Sequence, residues 1–249
     1  GRRIGYDAIA VVARKLGLGA KYDLPVVSQS YGTVPDSQWK ERKYKQDWTQ
    51  SDTLNASIGQ GYVLLNPLQL AVMGARIASG RDVEPRPLGQ HHEPAAPLDM
   101  PPEHFEIVRK GMWEVVNGNG TAGRSRLELP GIEMGGKTGT AQVRRIAGSQ
   151  RGQGGDWKYR DHGLFVCFAP TSNPRYAASV VIEHGMGGSR AAAPVAKDVL
   201  TYLFDKPKAM AALAKLEEGW GGDIAARMKR DADRWLASRG STDTRVART

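Results

Sequence analysis

Cysteine is nearly absent. Cys167 stands alone among 249 residues, so no internal disulfide framework can staple the fold, and the redox compartment is left open. It lies in "LFVCFAP", where a buried structural thiol is expected. Long apolar runs are missing as well; none approaches the ~20 residues of a membrane-spanning helix. The chain opens on "GRRIGYD", with neither a methionine nor the apolar stretch of a signal peptide. That start resembles the middle of a helix, and a fragment is expected. Aromatic residues make up only 7% of the chain, and no aromatic ladder accompanies the small basic clusters at residues 40–45 and 144–151. The net charge of +9 therefore reads as a solvated basic surface, and no nucleic-acid partner is expected.

What remains is ordinary globular material, 40% hydrophobic and 24% charged. A compact chain of this size buries roughly three quarters of its surface. "YDAIAVVARKLGLG" predicts an amphipathic helix with Asp7 near its start and Gly17 and Gly19 as stop positions. Residues 20–53, polar and broken by Pro25, Gly32 and Pro35, predict an extended loop. "NPLQLAVMGARIASG" carries a full set of helix signals: Asn66 as cap, Pro67 at the first position, Gly80 as stop. The proline-rich residues 81–100 read as a surface loop. Phe105, Val108, Met112 and Val115 then recur at helical spacing.

The second half changes character. "KTGTAQV", "GLFVCFAP" and "YAASVVIE" are three short strand-like segments. Met in meander order, they predict an antiparallel sheet, closed over by a helix in "AAAPVAKDVLTYLF". The fold class is α+β. Residues 206–249 are charged, helical and poor in core residues, so the expected division is a domain over 1–205 and a tail over 206–249. Trp220 and Trp235 of the tail are candidates for docking on the domain, against a plain solvated helix pair.

One stretch fits two chemistries. "GIEMGGKTGTAQV" reads from Gly131 as G-x-x-x-x-G-K-T, a phosphate-cradling loop. From Lys137 it reads as the lysine–threonine–glycine triad of penicillin-recognising serine enzymes. A phosphate loop needs a buried strand before it and a helix after it. "RSRLELP" is a poor buried strand, and Thr138, Gly139 and Thr140 are poor helix formers. The segment should run on as a strand. A lysine on an edge strand places positive charge in a cleft, neighbouring hydroxyls can bind an anion, and glycine lets a substrate backbone lie close.

The surroundings of the triad resemble the class B penicillin-binding proteins of the elongation type. "SIGQGYVLLNPLQLAVMGARIASG" is similar to their helix region upstream of the triad, and "MGGKTGTAQV" to their triad strand. "HGLFVCFAP" and "YAASVVIEHG" resemble the next two strands, and "VVNGNGTAGRSRL" the segment before the triad. The likeness runs over roughly residues 1–204. It implies a penicillin-recognising, β-lactamase-like fold truncated at its N-terminus, and peptidoglycan D,D-transpeptidation by serine acyl transfer without a cofactor. Lys137 would support the catalytic serine and lysine, and Thr138 and Thr140 would bind the carboxylate of a D-Ala-D-Ala stem peptide or of a β-lactam. The Thr140 N–H would be an oxyanion donor, and Gly139 would keep the strand open. The implied partners are stem peptides, β-lactams, a membrane glycosyltransferase and the elongation machinery, at the periplasmic face of the inner membrane.

Two motifs of that family are missing. No S-x-N string occurs, and the single S-x-x-K string is Ser37–Lys40, in polar surroundings without the rigid apolar helix a nucleophile needs. The nucleophile is expected upstream of Gly1, which leaves this chain inactive alone. A β-lactamase-like protein, a non-catalytic ligand-binding module and a nucleotide-binding protein stand as alternatives. His91, His92 and Glu93 lie in a proline-rich loop, and Asp156, Asp161 and His162 between two strands; no metal site is expected at either.

Overall fold

The computed structural model describes residues 1–86, 93–143 and 156–246. His91, His92 and the basic cluster at 144–151 lie outside them, save Glu93, which is described. The chain divides into two units, Gly1–Leu200 and Thr201–Thr249.

The first unit opens with α1 (Tyr6–Lys15), which buries Tyr6 and Ala10. Gly17 and Gly19 follow at φ 90° and 75°, the left-handed conformations that end a helix most cheaply at glycine. Residues 20–53 are not one extended loop. They contain α2 (Ser37–Tyr44) and α3 (Gln50–Ala56). Both are too short and polar for a periodic signal, and local chemistry starts them. Asp36 accepts from Trp39 N–H, and Thr49 and Asp52 form a reciprocal capping box. Lys40 then reaches across to Asp52 at 2.6 Å, with its side chain only 5% exposed.

That buried pair carries a stability prediction. Burial alone would raise the Asp52 carboxyl, but hydrogen bonds from Lys40 and Thr49 and the charge of Lys40 outweigh it and hold it below its ordinary value. A depressed carboxyl contributes stability above the unfolded pKa of about 4, and loses it as pH falls through the folded value. Asp52→Asn leaves the Lys40 ammonium buried without a counter-charge and is expected to cost on the order of 3 kcal/mol at neutral pH. Denaturant titration should show this loss shrinking towards acid pH; an undiminished loss at low pH would contradict the linkage.

α4 (Pro67–Ser79) forms as expected. The Asn66 side chain accepts from Gln69 N–H, Gln69 returns the bond, and Gly80 closes the helix at φ 68°. Gln69 is fully buried and donates to the carbonyls of Ala20 and Tyr31, which pins the preceding irregular segment to the helix. α5 (Pro102–Asn117) buries Phe105, Met112 and Val116 rather than the expected row through Val108 and Val115. Val108 is left 44% exposed.

The sheet is antiparallel, in the order β1 (Gly135–Ala141), β2 (His162–Ala169), β3 (Tyr176–Ile182). β2 is central, and Phe165, Val166, Cys167, Phe168 and Ala169 are all buried. Coverage on both faces explains its unbroken apolar sequence. Burial pushes the Cys167 thiol up to about 12, against the lowering effect of a backbone hydrogen bond at Ala178, so it is an inert core group. On one face α4 approaches so closely that a Cβ on Gly74 would sit 2.9 Å from the Val166 side chain. On the other, a π-helical turn at Gly188–Ala192 leads into α6 (Ala193–Phe204), which buries Ala193, Ala196 and Leu200. A Cβ on Gly188 would meet the Leu164 carbonyl oxygen at 2.1 Å, which only glycine avoids.

The second unit holds the end of α6 with α7 (Lys206–Gly219) and α8 (Ile224–Val246). Asp205 caps α7 by accepting from Lys208 N–H, and the Arg227 guanidinium lies over the Trp220 ring. Among the described residues no helix is long and apolar enough to cross a membrane.

Candidate active-site cleft

Lys137, Thr138, Gly139 and Thr140 all lie in β1, paired on one side only, with β2. A strand stands where the phosphate-loop reading needs the first turn of a helix, so that reading has no structural basis here. Alternation puts Lys137 and Gly139 on the same face as their cross-strand partners Val166 and Leu164. That face looks into a groove of about 520 Å3, bounded by Leu70, Met73 and Ile77 of α4 and by Val108, Met112 and Val115 of α5. The exposed shoulder of α5 thus has a place: it is one wall of an apolar groove with a lysine at its rim. Lys137 is itself exposed, and its ammonium donates to the Thr138 carbonyl at 2.8 Å.

The free edge of β1 has a defined polarity. The Thr140 carbonyl accepts from Gln60 Nε2 at 2.7 Å and so points away from β2. In a strand, the N–H and C=O of one residue point the same way, and alternate residues point oppositely. The main-chain groups of Thr138 and Thr140 therefore face the open edge, while those of Lys137 and Gly139 face β2. An extended ligand on this edge would meet N–H donors at Thr138 and Thr140, with the lysine charge beside them.

Two residues not picked out in the sequence belong to this site. Thr121 Oγ1 lies 2.8 Å from Thr138 Oγ1 and fixes that hydroxyl. It follows a turn so tight that a Cβ on Gly120 would come within 2.3 Å of Val115 Cα. Gln60 is the second; besides donating to the Thr140 carbonyl, it accepts from Gln142 N–H at 3.4 Å. Both sit beside glycines between elements, and a polar residue set among such glycines is the signal that marks them.

The S-x-x-K string is placed differently from expectation. Ser37 and Lys40 are on a helix, not in a loop, but they serve separate carboxylates. Ser37 Oγ donates to Asp7 at 2.6 Å, and Lys40 is tied to Asp52. A lysine held in an ion pair with another group is not a base for that serine. Asp161 and His162 organise the far end of the sheet. Asp161 accepts from Val143 N–H, and His162 Nδ1 accepts from His184 N–H at 2.9 Å. The backbone of Asp156 starts the short turn at Trp157–Tyr159 by accepting from Tyr159 N–H.

Residues 1–201 match the penicillin binding protein transpeptidase domain. The chain is 36% identical over 214 residues to the peptidoglycan D,D-transpeptidase MrdA of Acinetobacter baumannii, covering 80% of this chain and 31% of the relative. It is 29% identical over 217 residues to the MrdA of Haemophilus influenzae, covering 82% of this chain and 33% of the relative. It thus spans about a third of the length of these curated relatives. Among solved structures, Pseudomonas aeruginosa PBP2 in complex with WCK 5153 shares 34% identity at a TM-score of 0.63, over 80% of this chain and 43% of that one. Helicobacter pylori PBP2, solved in complex with MreC, shares 31% at a TM-score of 0.69, over 82% and 37%. An edge strand bearing Lys137–Thr140 over an apolar groove thus belongs to a recognised domain: the chain is a member of the penicillin-binding protein transpeptidase family, of the class B, PBP2/MrdA type.

Proposed function

We propose that this chain is the C-terminal part of the catalytic domain of a peptidoglycan D,D-transpeptidase, over residues 1–205, followed by a helical tail over 206–249. The observation that carries the reading is the free edge of β1, with Lys137 on the groove side and the Thr138 and Thr140 main-chain groups facing outward. A stem peptide ending in D-Ala-D-Ala would lie along this edge. Its terminal carboxylate would be held by the Thr138 and Thr140 hydroxyls, and its scissile carbonyl oxygen would face the Thr140 N–H. A serine Oγ attacks that carbonyl, its proton passing to a neighbouring base. The C–N bond to the terminal D-alanine breaks, and its nitrogen takes that proton from the base, so that D-alanine leaves as the amine. The amine of a second stem peptide then attacks the serine ester, forming the cross-link and restoring the serine. Lys137 supplies positive charge beside these proton transfers. On this reading the serine and its lysine would be those of an S-x-x-K motif expected before Gly1.

By the same reading the full-length protein works at the periplasmic face of the inner membrane, beside a membrane glycosyltransferase and the elongation machinery. The solved complex of Helicobacter pylori PBP2 with MreC supports a protein partner such as MreC. A β-lactamase differs in the fate of the ester, which water would resolve. The test is therefore to incubate the full-length protein with a D-Ala-D-Ala donor and an amine acceptor. Transpeptidation product with D-alanine release is expected; release of the hydrolysed peptide alone would favour the β-lactamase-like alternative, and no acylation would remove both.

A further inference from the structure

We infer that Gln60 is a positioning residue for the oxyanion donor: its side-chain amide staples the open edge of β1 and so holds the Thr140 N–H in place. The inference rests on the transpeptidase reading of that edge.

An edge strand is held by hydrogen bonds from one side only, and its end frays most easily. β1 ends at Ala141, directly after the residue whose N–H must meet the acyl oxygen. Gln60 supplies the missing second side. Its Nε2 donates to Thr140 O at 2.7 Å and its Oε1 accepts from Gln142 N–H at 3.4 Å. One planar amide thus presents a donor and an acceptor to the edge, as a neighbouring strand would.

The staple is itself anchored. Gln60 N–H donates to Asn55 O at 3.0 Å at the end of α3, between Gly59 and Gly61 at φ 75° and 73°. α3 is fixed in turn by Lys40–Asp52 and by the Trp48 indole, which donates to Thr53 Oγ1 at 2.9 Å. A continuous set of contacts therefore runs from a buried ion pair to the backbone of the site. Thr121 fixes the Thr138 hydroxyl from the other flank. An oxyanion donor acts through preorganisation, and a displacement of the order of an ångström is enough to weaken it severely.

Three properties of the full-length protein are measured: the acylation rate constant at saturating penicillin, the dissociation constant of the non-covalent complex, and the melting temperature. In Q60M, which keeps length but cannot hydrogen-bond, the rate constant is expected to fall by about 10²-fold, with the dissociation constant and melting temperature little changed. Q60E separates positioning from packing. At neutral pH its carboxylate repels the Thr140 carbonyl, and acylation is slow. Near pH 4–5, about the range of a glutamic acid, the protonated acid again offers one donor and one acceptor. The Q60E rate relative to wild type should then recover, while the Q60M ratio should not. Wild-type rates in Q60M, or a Q60E ratio flat with pH, would overturn the inference. If the wild-type protein itself is not acylated, the transpeptidase reading fails first and the inference goes with it.

Discussion

Replacing Lys137 by alanine in the full-length protein is expected to slow penicillin acylation by about 10²–10⁴-fold, the range for a positioned group that assists proton transfer. Geometry carries the argument. Lys137 is on the face of β1 that looks into the groove, level with Val166 of the central strand, and its ammonium already sits over the strand edge at Thr138 O. Nothing buries it, so its side chain can turn between the edge and the groove. Removing it takes a unit of positive charge from the edge where the proposed mechanism binds an anionic substrate and deprotonates a serine. The effect should fall mainly on the acylation rate constant, and Lys137→Arg should restore it only in part. Arginine keeps the charge but is held protonated and presents a planar fork where lysine has a compact point charge. Stopped-flow acylation with a reporter β-lactam measures both variants. Wild-type acylation in Lys137→Ala would mean that β1 is not the edge of the active site.

Elements with strong local signals could be read directly from the sequence. α4 has its cap, first-position proline and left-handed glycine within one segment, and β2 is a continuous apolar run because both faces are covered. The triad strand could be read because glycine and threonine argue against the helix a phosphate loop requires. α2 and α3 could not be read. They are 8 and 7 residues long, below the length at which periodicity shows, and are held by contacts such as Lys40–Asp52 that a linear reading does not join. α5 shows why part of the site stayed hidden: its apolar surface is wider than its buried one, and the excess lines the groove. The Gln60–Thr140 bond spans 80 residues of sequence and Thr121–Thr138 spans 17. The glycines beside Gln60 and Thr121 mark each as a candidate, but no local pattern names the distant group it meets.

The 249-residue chain expressed by itself is expected not to be labelled by a fluorescent penicillin at all. A serine hydroxyl is a weak nucleophile unless a base is positioned to take its proton. Only one serine in the chain has a lysine at the spacing the family uses, and the structure ties the two to different carboxylates. Ser37 Oγ donates to Asp7, a surface carboxylate, and the ammonium of Lys40 is buried against Asp52. The ammonium of Lys40 is thus directed at Asp52 and not at Ser37. Freeing it by Asp52→Asn should not create activity, because Ser37 Oγ remains bonded to the Asp7 carboxylate. Gel fluorescence after incubation with the labelled drug, with the full-length protein alongside, reads the result. Labelling of the full-length protein alone is expected. A covalent adduct on the isolated chain, mapped by mass spectrometry to any of its serines, would show that these residues hold a complete nucleophilic centre and that the roles assigned to Ser37 and Lys40 are wrong.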